Sequence, residues 1–263
     1  MNWPTCLTDE TRGAVTVNVA SRADLLADLR ARLENRQGFT LATLNLDHVV
    51  KLRRQPDFAA AYLRHSHVTA DGNPIRWLEG LAGRQIDLVT GSDLIDPLVA
   101  LAAELGVPIA LLGSTEEALQ AAAEALSRRY PDLKVAALIA PAMGFDPTGA
   151  DADACLTRLG ASGAGLCFLA LGAPKQERFA AYAQEILPHM GFVSIGAGLD
   201  FIAGRQRRAP RIVRRLAAEW LWRLVHDPRR MGRRYAECFA VLPGLVGVAL
   251  KSRRAGLPEE EPR

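Results

Sequence analysis

The stretch GAGLCFLALGAPKQERFAAYAQEIL, residues 163–187, decides the fold. It opens with a near-continuous apolar run, passes a Gly-Ala-Pro turn, and continues with apolar residues at helical spacing. A strand that is apolar on both faces is typical of a parallel sheet covered by helices on both sides. The stretch therefore predicts one strand–helix unit of an α/β fold.

The same unit recurs along most of the chain. Apolar or alternating runs predict strands at 15–20, 39–47, 67–72, 107–114, 133–144, 163–174 and 191–198. Amphipathic segments predict helices at 21–35, 48–66 with a break near Pro56, 92–106 capped by Ser92, 115–131 opened by Thr115, 151–163 and 175–187. This alternation predicts a doubly wound, mostly parallel (Rossmann-like) α/β body over residues 1–204.

Ligands of such sheets bind at the carboxyl ends of the strands. The residues predicted at those ends are Thr43-Leu44-Asn45, Asp71-Gly72, Gly113-Ser114, Gly172-Ala173-Pro174-Lys175-Gln176 and Gly196-Ala197-Gly198. The turn at Gly172–Pro174 opens a helix whose N-terminus favours an anion such as a diphosphate, while Lys175 adds charge and Gln176 an amide. A capped helix with solvated charges explains the same residues equally well.

Asp71 follows a short β-type run and precedes Gly72-Asn73-Pro74. A carboxylate at a strand exit, beside a glycine that lets a ligand approach, is a common active-site arrangement. The same residues also form an ordinary Asp-Gly turn, which is the commoner explanation of the pattern.

Positive charge is concentrated near the C-terminus. The segment Arg205–Arg234 has eleven arginines against Glu219 and Asp227, a net charge of +9, which leaves −6 for the rest of a chain whose total is +3. We therefore predict a basic amphipathic appendage over 205–250 that meets an anionic partner: phospholipid, a phosphorylated substrate or, less favoured, nucleic acid. Residues 251–263 are predicted to be a disordered tail. The apolar run 238–250 is interrupted by Pro243 and Gly244 and is short for a membrane span.

Other patterns exclude several classes of protein. There is no G-x-G-x-x-G, and Gly196-Ala197-Gly198 has neither the third glycine nor a predicted helix after it, which disfavours a nicotinamide oxidoreductase. P-loop and G-x-S-x-G motifs are also absent from the sequence. Asp151 and Asp153 open a predicted helix, where acids stabilise the N-terminus without a metal. The four cysteines lie far apart, without a disulfide or zinc pattern, which indicates a reducing compartment.

Taken together, the strand-end motifs resemble one family. In chain order they are TLN (43–45), TADG (69–72), VTGSDL (89–94), LLG (111–113), LGAPKQE (171–177), GAGLDFIAG (196–204) and RAPRIVRRLAAEWLWRLVHDPRRMGRRY (208–235). This set is similar to the WecG/TagA/CpsF family, glycosyltransferase family 26, over roughly residues 15–235. Members often have an arginine just before the TG of the third motif, where this chain has Leu88 and Val89; Arg84 is a candidate replacement.

The resemblance implies an inverting, metal-independent hexosyltransferase without a cofactor. It would move a sugar from a UDP-sugar (N-acetylmannosamine, its uronic acid, glucose or another hexose) to a polyprenyl-diphosphate-linked sugar. The setting would be bacterial surface-polymer synthesis at the inner face of the plasma membrane, with a possible homo-oligomer. A catalytically silent sugar-nucleotide-binding module is the alternative.

The resemblance also implies site residues. Asp71 matches the proposed general base, and Thr43 its neighbouring threonine. The expected donor-binding residues are Asn45, Gly72, Asn73, Thr90, Gly91, Gly113, Gly172, Lys175 and Gln176. The candidates for the acceptor diphosphate and the membrane are Arg208, Arg214, Arg215 and Arg223.

Overall fold

The computed structural model describes residues 1–7, 14–205, 213 and 219–255. Its centre is a parallel sheet with the strand order β2-β1-β6-β5-β3-β4. The strands are β1 Phe39–Leu44, β2 His67–Ala70, β3 Ile109–Gly113, β4 Val135–Ile139, β5 Leu166–Ala170 and β6 Gly191–Ser194. The predicted doubly wound, parallel α/β class is confirmed.

Helices cover both faces of the sheet. They are α1 Arg22–Glu34, α2 Leu46–Leu52, α3 Pro56–Leu63, α4 Asn73–Leu81, α5 Gly91–Leu105, α6 Glu116–Arg129, α7 Ala150–Ser162, α8 Lys175–Ile186, α9 Gly198–Ile202, α10 Glu219–His226 and α11 Pro228–Ala255. One face packs against α1, α5, α6 and α9. The other packs against α7 and α8 at the β5 side, and against α2, α3, α4 and α11 at the β1–β2 side.

Several predicted boundaries are confirmed. The helical segment 48–66 is interrupted before Pro56, as the sequence indicated. Thr115 caps α6, because its hydroxyl accepts a hydrogen bond from the N–H of Ala118. The cap of α5, in contrast, is Thr90 and not Ser92.

The predicted strand at 15–20 is wrong. Only Val15 forms a β-bridge, to Trp3, although the segment lies along the edge strand β2. The segment is joined to β2 by one backbone hydrogen bond, from the N–H of Val19 to the carbonyl of Val68 at 3.3 Å, and by the side chain of Asn18. Its Oδ1 accepts from the N–H of Val68 at 2.7 Å, and its Nδ2 donates to the carbonyl of Ser66 at 2.8 Å.

Two short helices were missed by the sequence analysis. α4 begins immediately after Gly72, with Pro74 in its first turn, where the fixed φ of proline suits a helix. α9 begins at Gly198, so the Gly196-Ala197-Gly198 turn does lead into a helix, although one of only five residues. Both helices begin at the carboxyl end of the sheet.

The C-terminal helix α11 is continuous through Pro243 and Gly244, where the sequence predicted a break. Leu245 and Ala249, on its inner side, belong to the same buried cluster as residues of α2, α3 and α4. This packing stabilises a helix that its own propensity would not, since most helical stability in proteins comes from tertiary contacts. The helix ends at Ala255, so the predicted start of a tail at 251 falls inside it.

Ion pairs fix α11 to the body. Arg234 lies 3.0 Å from Asp47 of α2, and Glu237 lies 2.8 Å from Arg54. Burial raises the pKa of Asp47, but the cations Arg234 and Lys51 lower it by more. The pKa of this carboxyl therefore lies below its ordinary value. The C-terminal helix is therefore part of the body's packing as well as an appendage.

The packing of α11 can be measured. We expect Leu245→Ala to lower the free energy of unfolding by about 2–5 kcal/mol, because it leaves a cavity under a side chain that is 1% exposed. Val246→Ala, one residue further and on the exposed side, is the matched control and should change it by less than about 0.5 kcal/mol. Urea unfolding of the two variants gives both values. Equal effects would contradict this docking of α11.

Candidate active site

The structure brings Thr43 and Asp71 together. The register of β1 on β2 pairs Thr43 with Thr69 and Leu44 with Ala70, and the N–H of Asp71 continues the ladder to the carbonyl of Leu44 at 2.8 Å. The Thr43 hydroxyl lies 3.5 Å from Oδ2 of Asp71. Thr43 is buried and Asp71 half-buried, so the carboxylate is the outer member of the pair. Two neighbouring strand ends thus place a hydroxyl beside a partly accessible acid.

A buried network supports Thr43 from behind. The Tyr62 hydroxyl donates to the carbonyl of Thr43 at 3.0 Å and lies 2.6 Å from Nδ1 of His48. Burial lowers the pKa of His48 to about 3 and raises that of Tyr62. Both side chains are therefore neutral around pH 7, and the network fixes Thr43 without placing a charge beside Asp71.

The residues after Asp71 and Thr43 shape this edge. Gly72 has φ 99°, a conformation that side-chain-bearing residues rarely adopt, and it directs the chain into α4. Asn73 is the first residue of α4. Asn45 caps α2, since its Oδ1 accepts from the N–H of His48 at 3.0 Å. A sugar contact by Asn45 or Asn73 stays a prediction.

Two glycines allow close backbone contacts at this edge, one between β3 and β5 and one between the start of α5 and β6. A Cβ at Gly113, which has φ 118°, would lie 2.4 Å from the carbonyl of Ala170. A Cβ at Gly91 would lie 2.7 Å from the carbonyl of Ser194. These glycines allow backbone contact, and Thr90 caps α5 through Asp93. Gly113, Gly91 and Thr90 therefore lie at the carboxyl edge of the sheet, as predicted, and each has a packing or capping role there.

The connections leave this edge in opposite directions. The loops after β3 and β6 lead to α6 and α9 on one face, whereas those after β1 and β5 lead to α2 and α8 on the other. The neighbours β3 and β5 therefore diverge, and β5 and β6 do as well. Such a divergence opens a crevice, which is the usual ligand site of doubly wound sheets.

Gln176 lies beneath this crevice. Its side chain is only 3% exposed, its Oε1 accepts from the N–H of Gly196, and its Nε2 donates to Glu177. The sequence predicts that this amide contacts the donor, but in the structure both its oxygen and its nitrogen form hydrogen bonds within the protein. Gly172, with φ 70°, and the half-buried Lys175 lie nearer the surface.

Ser114 and Asp200 form a pair that the candidate residue set did not contain. Their side-chain oxygens lie 2.6 Å apart, which joins the end of β3 to α9. Ser114 has φ 52°, and a non-glycine residue in that region stores strain of a kind that clusters at functional sites. Both residues lie in or beside quoted motifs, LLG and GAGLDFIAG. Their meeting depends on the sheet order, which the sequence does not show.

The predicted replacement by Arg84 is not supported. Its guanidinium donates to the carbonyl of Val17 at 3.0 Å and lies 3.6 Å from the buried Glu79. It is therefore held at the far end of α4 and not at the strand ends. Arg208, Arg214 and Arg215 lie outside the described residues, as does the side chain of Arg223.

Within the described ranges, no group of three or more His, Cys, Asp or Glu side chains is placed to hold a metal ion. Asp151 and Asp153 lie in the first turn of α7, as expected of helix-opening acids. The described helices include one, Met231–Ala255 within α11, that is long and apolar enough to cross a membrane by length and composition alone.

A comparison with protein families matches residues 12–256 to the family described as Glycosyl transferase WecG/TagA/CpsF family. The match includes all six strands and the Thr43–Asp71 pair. It indicates a nucleotide-sugar donor and, in general, a lipid-linked acceptor. The chain belongs to the WecG/TagA/CpsF glycosyltransferase family and is a nucleotide-sugar-dependent glycosyltransferase of cell-surface polymer synthesis.

Proposed function

We propose that the protein transfers a hexose, with inversion and without a metal, from a UDP-sugar to a polyprenyl-diphosphate-linked sugar. The observation that carries the proposal is the Thr43–Asp71 pair at the joined ends of β1 and β2. A direct displacement at the anomeric carbon needs one base beside the acceptor hydroxyl, and the partial accessibility of the Asp71 carboxylate supports that role.

The proposed reaction uses this pair as follows. The acceptor hydroxyl gives its proton to the Asp71 carboxylate as its oxygen bonds to the anomeric carbon. The bond from that carbon to the UDP oxygen breaks on the opposite side, and its electron pair leaves with UDP. The hydroxyl of Thr43 orients the carboxylate by hydrogen bonding to Oδ2. The positive φ at position 72 favours glycine, which has no side chain, so the space beside the acid stays open.

The leaving diphosphate requires positive charge. We place it in the crevice at the ends of β3, β5 and β6, where the N-terminus of α8 and Lys175 supply a dipole and a cation. The Ser114–Asp200 pair would face the nucleoside there. The basic segment, with Arg208, Arg214, Arg215 and Arg223 as candidates, would meet the remaining anionic charge.

The membrane surface is proposed from exposed apolar side chains on three helices. They are Trp77 and Leu81 on α4, Trp220, Leu221 and Val225 on α10, and Phe239, Val246 and Leu250 on α11. Basic residues lie at both ends of the apolar face of α11, including Arg233 and Arg253. Apolar insertion combined with basic charge binds an anionic leaflet more firmly than either alone. Since α4 begins two residues after Asp71, this surface would hold the site near a lipid-linked acceptor.

A release assay tests the proposed transfer. We expect UDP release from one UDP-hexose, chosen by its thermal stabilisation of the protein, only when a polyprenyl-diphosphate-linked sugar is present. EDTA should leave the rate unchanged, since the charges above replace a metal. Binding of UDP-sugars without release on any lipid-linked acceptor would favour a silent binding module. Loss of activity with EDTA, restored by Mg²⁺, would refute metal independence alone.

A further inference from the structure

A buried hydrogen-bond chain joins α8 to the turn after β6. The N–H of Gly196 donates to Oε1 of Gln176 at 3.1 Å, and Nε2 of Gln176 donates to Oε1 of Glu177 at 2.8 Å. The backbone N–H of Gln176 also donates to the carbonyl of Gly172 at 3.1 Å. The chain therefore fastens the turns after β5 and β6 to each other beneath the crevice.

Glu177 determines which way the Gln176 amide points. A glutamine amide can turn over and exchange its donor and acceptor ends. Because Oε1 of Glu177 accepts a hydrogen bond from the NH₂ group of Gln176, the amide oxygen is left to accept from the N–H of Gly196. Without Glu177, the amide would lose its fixed orientation, and the N–H of Gly196 its assured acceptor.

The position of Glu177 is energetically costly. Its side chain is fully buried, and among the described residues its Oε2 has no hydrogen-bond partner. Burial raises its pKa to about 7. Burying such an acid destabilises the fold unless its hydrogen bonds compensate. A cost of this kind at the floor of a binding crevice points to a role in holding the crevice.

We propose that Glu177 is a positioning residue for the transfer reaction: it orients Gln176 and, through it, the Gly196 turn that forms one wall of the nucleotide crevice. The inference rests on the proposed function for the identity of the ligand. It does not depend on it for the hydrogen-bond chain.

Burial affects the charge of Glu177 more than the charged groups around it do. α2 contributes Lys51 and Asp47, which pair with each other, and Arg234 of α11 adds a second cation to Asp47. Tyr62 of α3 and His48 of α2 are buried and neutral around pH 7. On α8 itself, Arg178 lies 3.7 Å from Asp57.

Three variants test the proposal: Glu177→Ala, Gln176→Ala and the conservative Glu177→Gln. We expect the first two to raise the dissociation constant of UDP about five- to tenfold, the effect of about one lost hydrogen bond. They should also raise the exchange rate of the Gly196 amide with solvent by a similar factor. The donor KM should rise while kcat changes little, because Asp71 lies on other strands. Glu177→Gln should keep wild-type UDP affinity and exchange, since its amide oxygen can replace Oε1.

A pH series adds an independent readout. The raised pKa means that the folded protein holds this proton when the unfolded chain has lost it. The free energy of unfolding of the wild type should therefore fall, relative to Glu177→Gln, as pH rises from about 4.5 to about 7.

The outcomes separate cleanly. The proposal would be overturned if Glu177→Ala kept the wild-type exchange rate of the Gly196 amide and the wild-type UDP affinity. It would also be overturned if Glu177→Gln bound UDP as weakly as Glu177→Ala. If Glu177→Ala does not fold, Gln176→Ala still tests the chain, and unchanged exchange there overturns it. If the wild type itself binds no UDP, the proposed function fails while the exchange measurement still decides the role of Glu177.

Discussion

Asp71→Asn should lower turnover by roughly 10²–10⁴-fold, the usual contribution of a general base. The amide keeps the size of the side chain and its hydrogen bonding to Thr43, but it cannot take the acceptor's proton. UDP affinity should stay at the wild-type value, because the crevice proposed for UDP lies at the ends of β3, β5 and β6, whereas Asp71 lies at the end of β2. The measurement is UDP release at saturating donor and lipid-linked acceptor, with UDP titration calorimetry beside it.

Asp57→Asn is the matched control for that change. Asp57 is an exposed acid on α3 whose side chain is 79% accessible and which lies 3.7 Å from Arg178. Its replacement alters net charge equally, and turnover should stay within about twofold, as for surface substitutions generally. Wild-type turnover of Asp71→Asn would refute the assignment of the base. A loss in UDP affinity equal to the loss in rate would assign Asp71 to donor binding.

The triple variant Phe239→Asp, Val246→Asp and Leu250→Asp should abolish membrane binding. These exposed side chains lie on α11, and insertion of three such residues contributes about 3 kcal/mol or more, so the partition onto anionic vesicles should fall at least about 100-fold. Activity on a membrane-embedded acceptor should fall with it. Activity on a short, water-soluble acceptor analogue should be retained, since the Thr43–Asp71 pair is untouched. Vesicle co-sedimentation with and without anionic lipid measures the binding.

A control variant, Met143→Asp and Ile186→Asp, changes exposed apolar residues that lie outside α4, α10 and α11. It should sediment with vesicles like the wild type. Unchanged sedimentation of the α11 variant would refute the membrane role of this face. A smaller molecular mass in solution, with vesicle binding unaltered, would show that a second copy of the chain covers it. Substitution is a cleaner test than deletion of residues 205–263, because deletion would also remove Leu245 and Ala249 from the core.

The sequence predicted the parts of the fold that depend on local periodicity. Runs such as 166–170 and 109–113 are apolar at every position, and their strands are buried on both faces, as a parallel sheet requires. It failed where a side chain replaced a backbone contact, as Asn18 does beside β2. It failed again at Pro243, where packing of Leu245 overrode a helix-breaking pattern.

The candidate site was predicted unevenly for a similar reason. Asp71 and Thr43 follow adjacent, parallel strands, so their meeting depends only on one strand pair. Ser114 and Asp200 are 86 residues apart in the chain and meet through the order of the whole sheet. Because Gln176 has an amide side chain, the sequence suggested that it contacts a ligand. Whether an amide contacts a ligand or the protein depends on its burial, and the burial of a polar residue is hard to predict from a single sequence.

The packing of α11 against the body has a consequence for the order of folding. Among the described residues, the cores under α1, α5 and α6 and under α7 and α8 contain none beyond 203, so these cores can close before the C-terminal helix exists. The third core joins residues of the first ninety positions to Leu245 and Ala249. During synthesis the layer beside Asp71 must therefore wait for a helix encoded far downstream, since such long-range contacts form late. In the nascent enzyme, the layer beside Asp71 is complete only when α11, the helix proposed to bind the membrane, is in place.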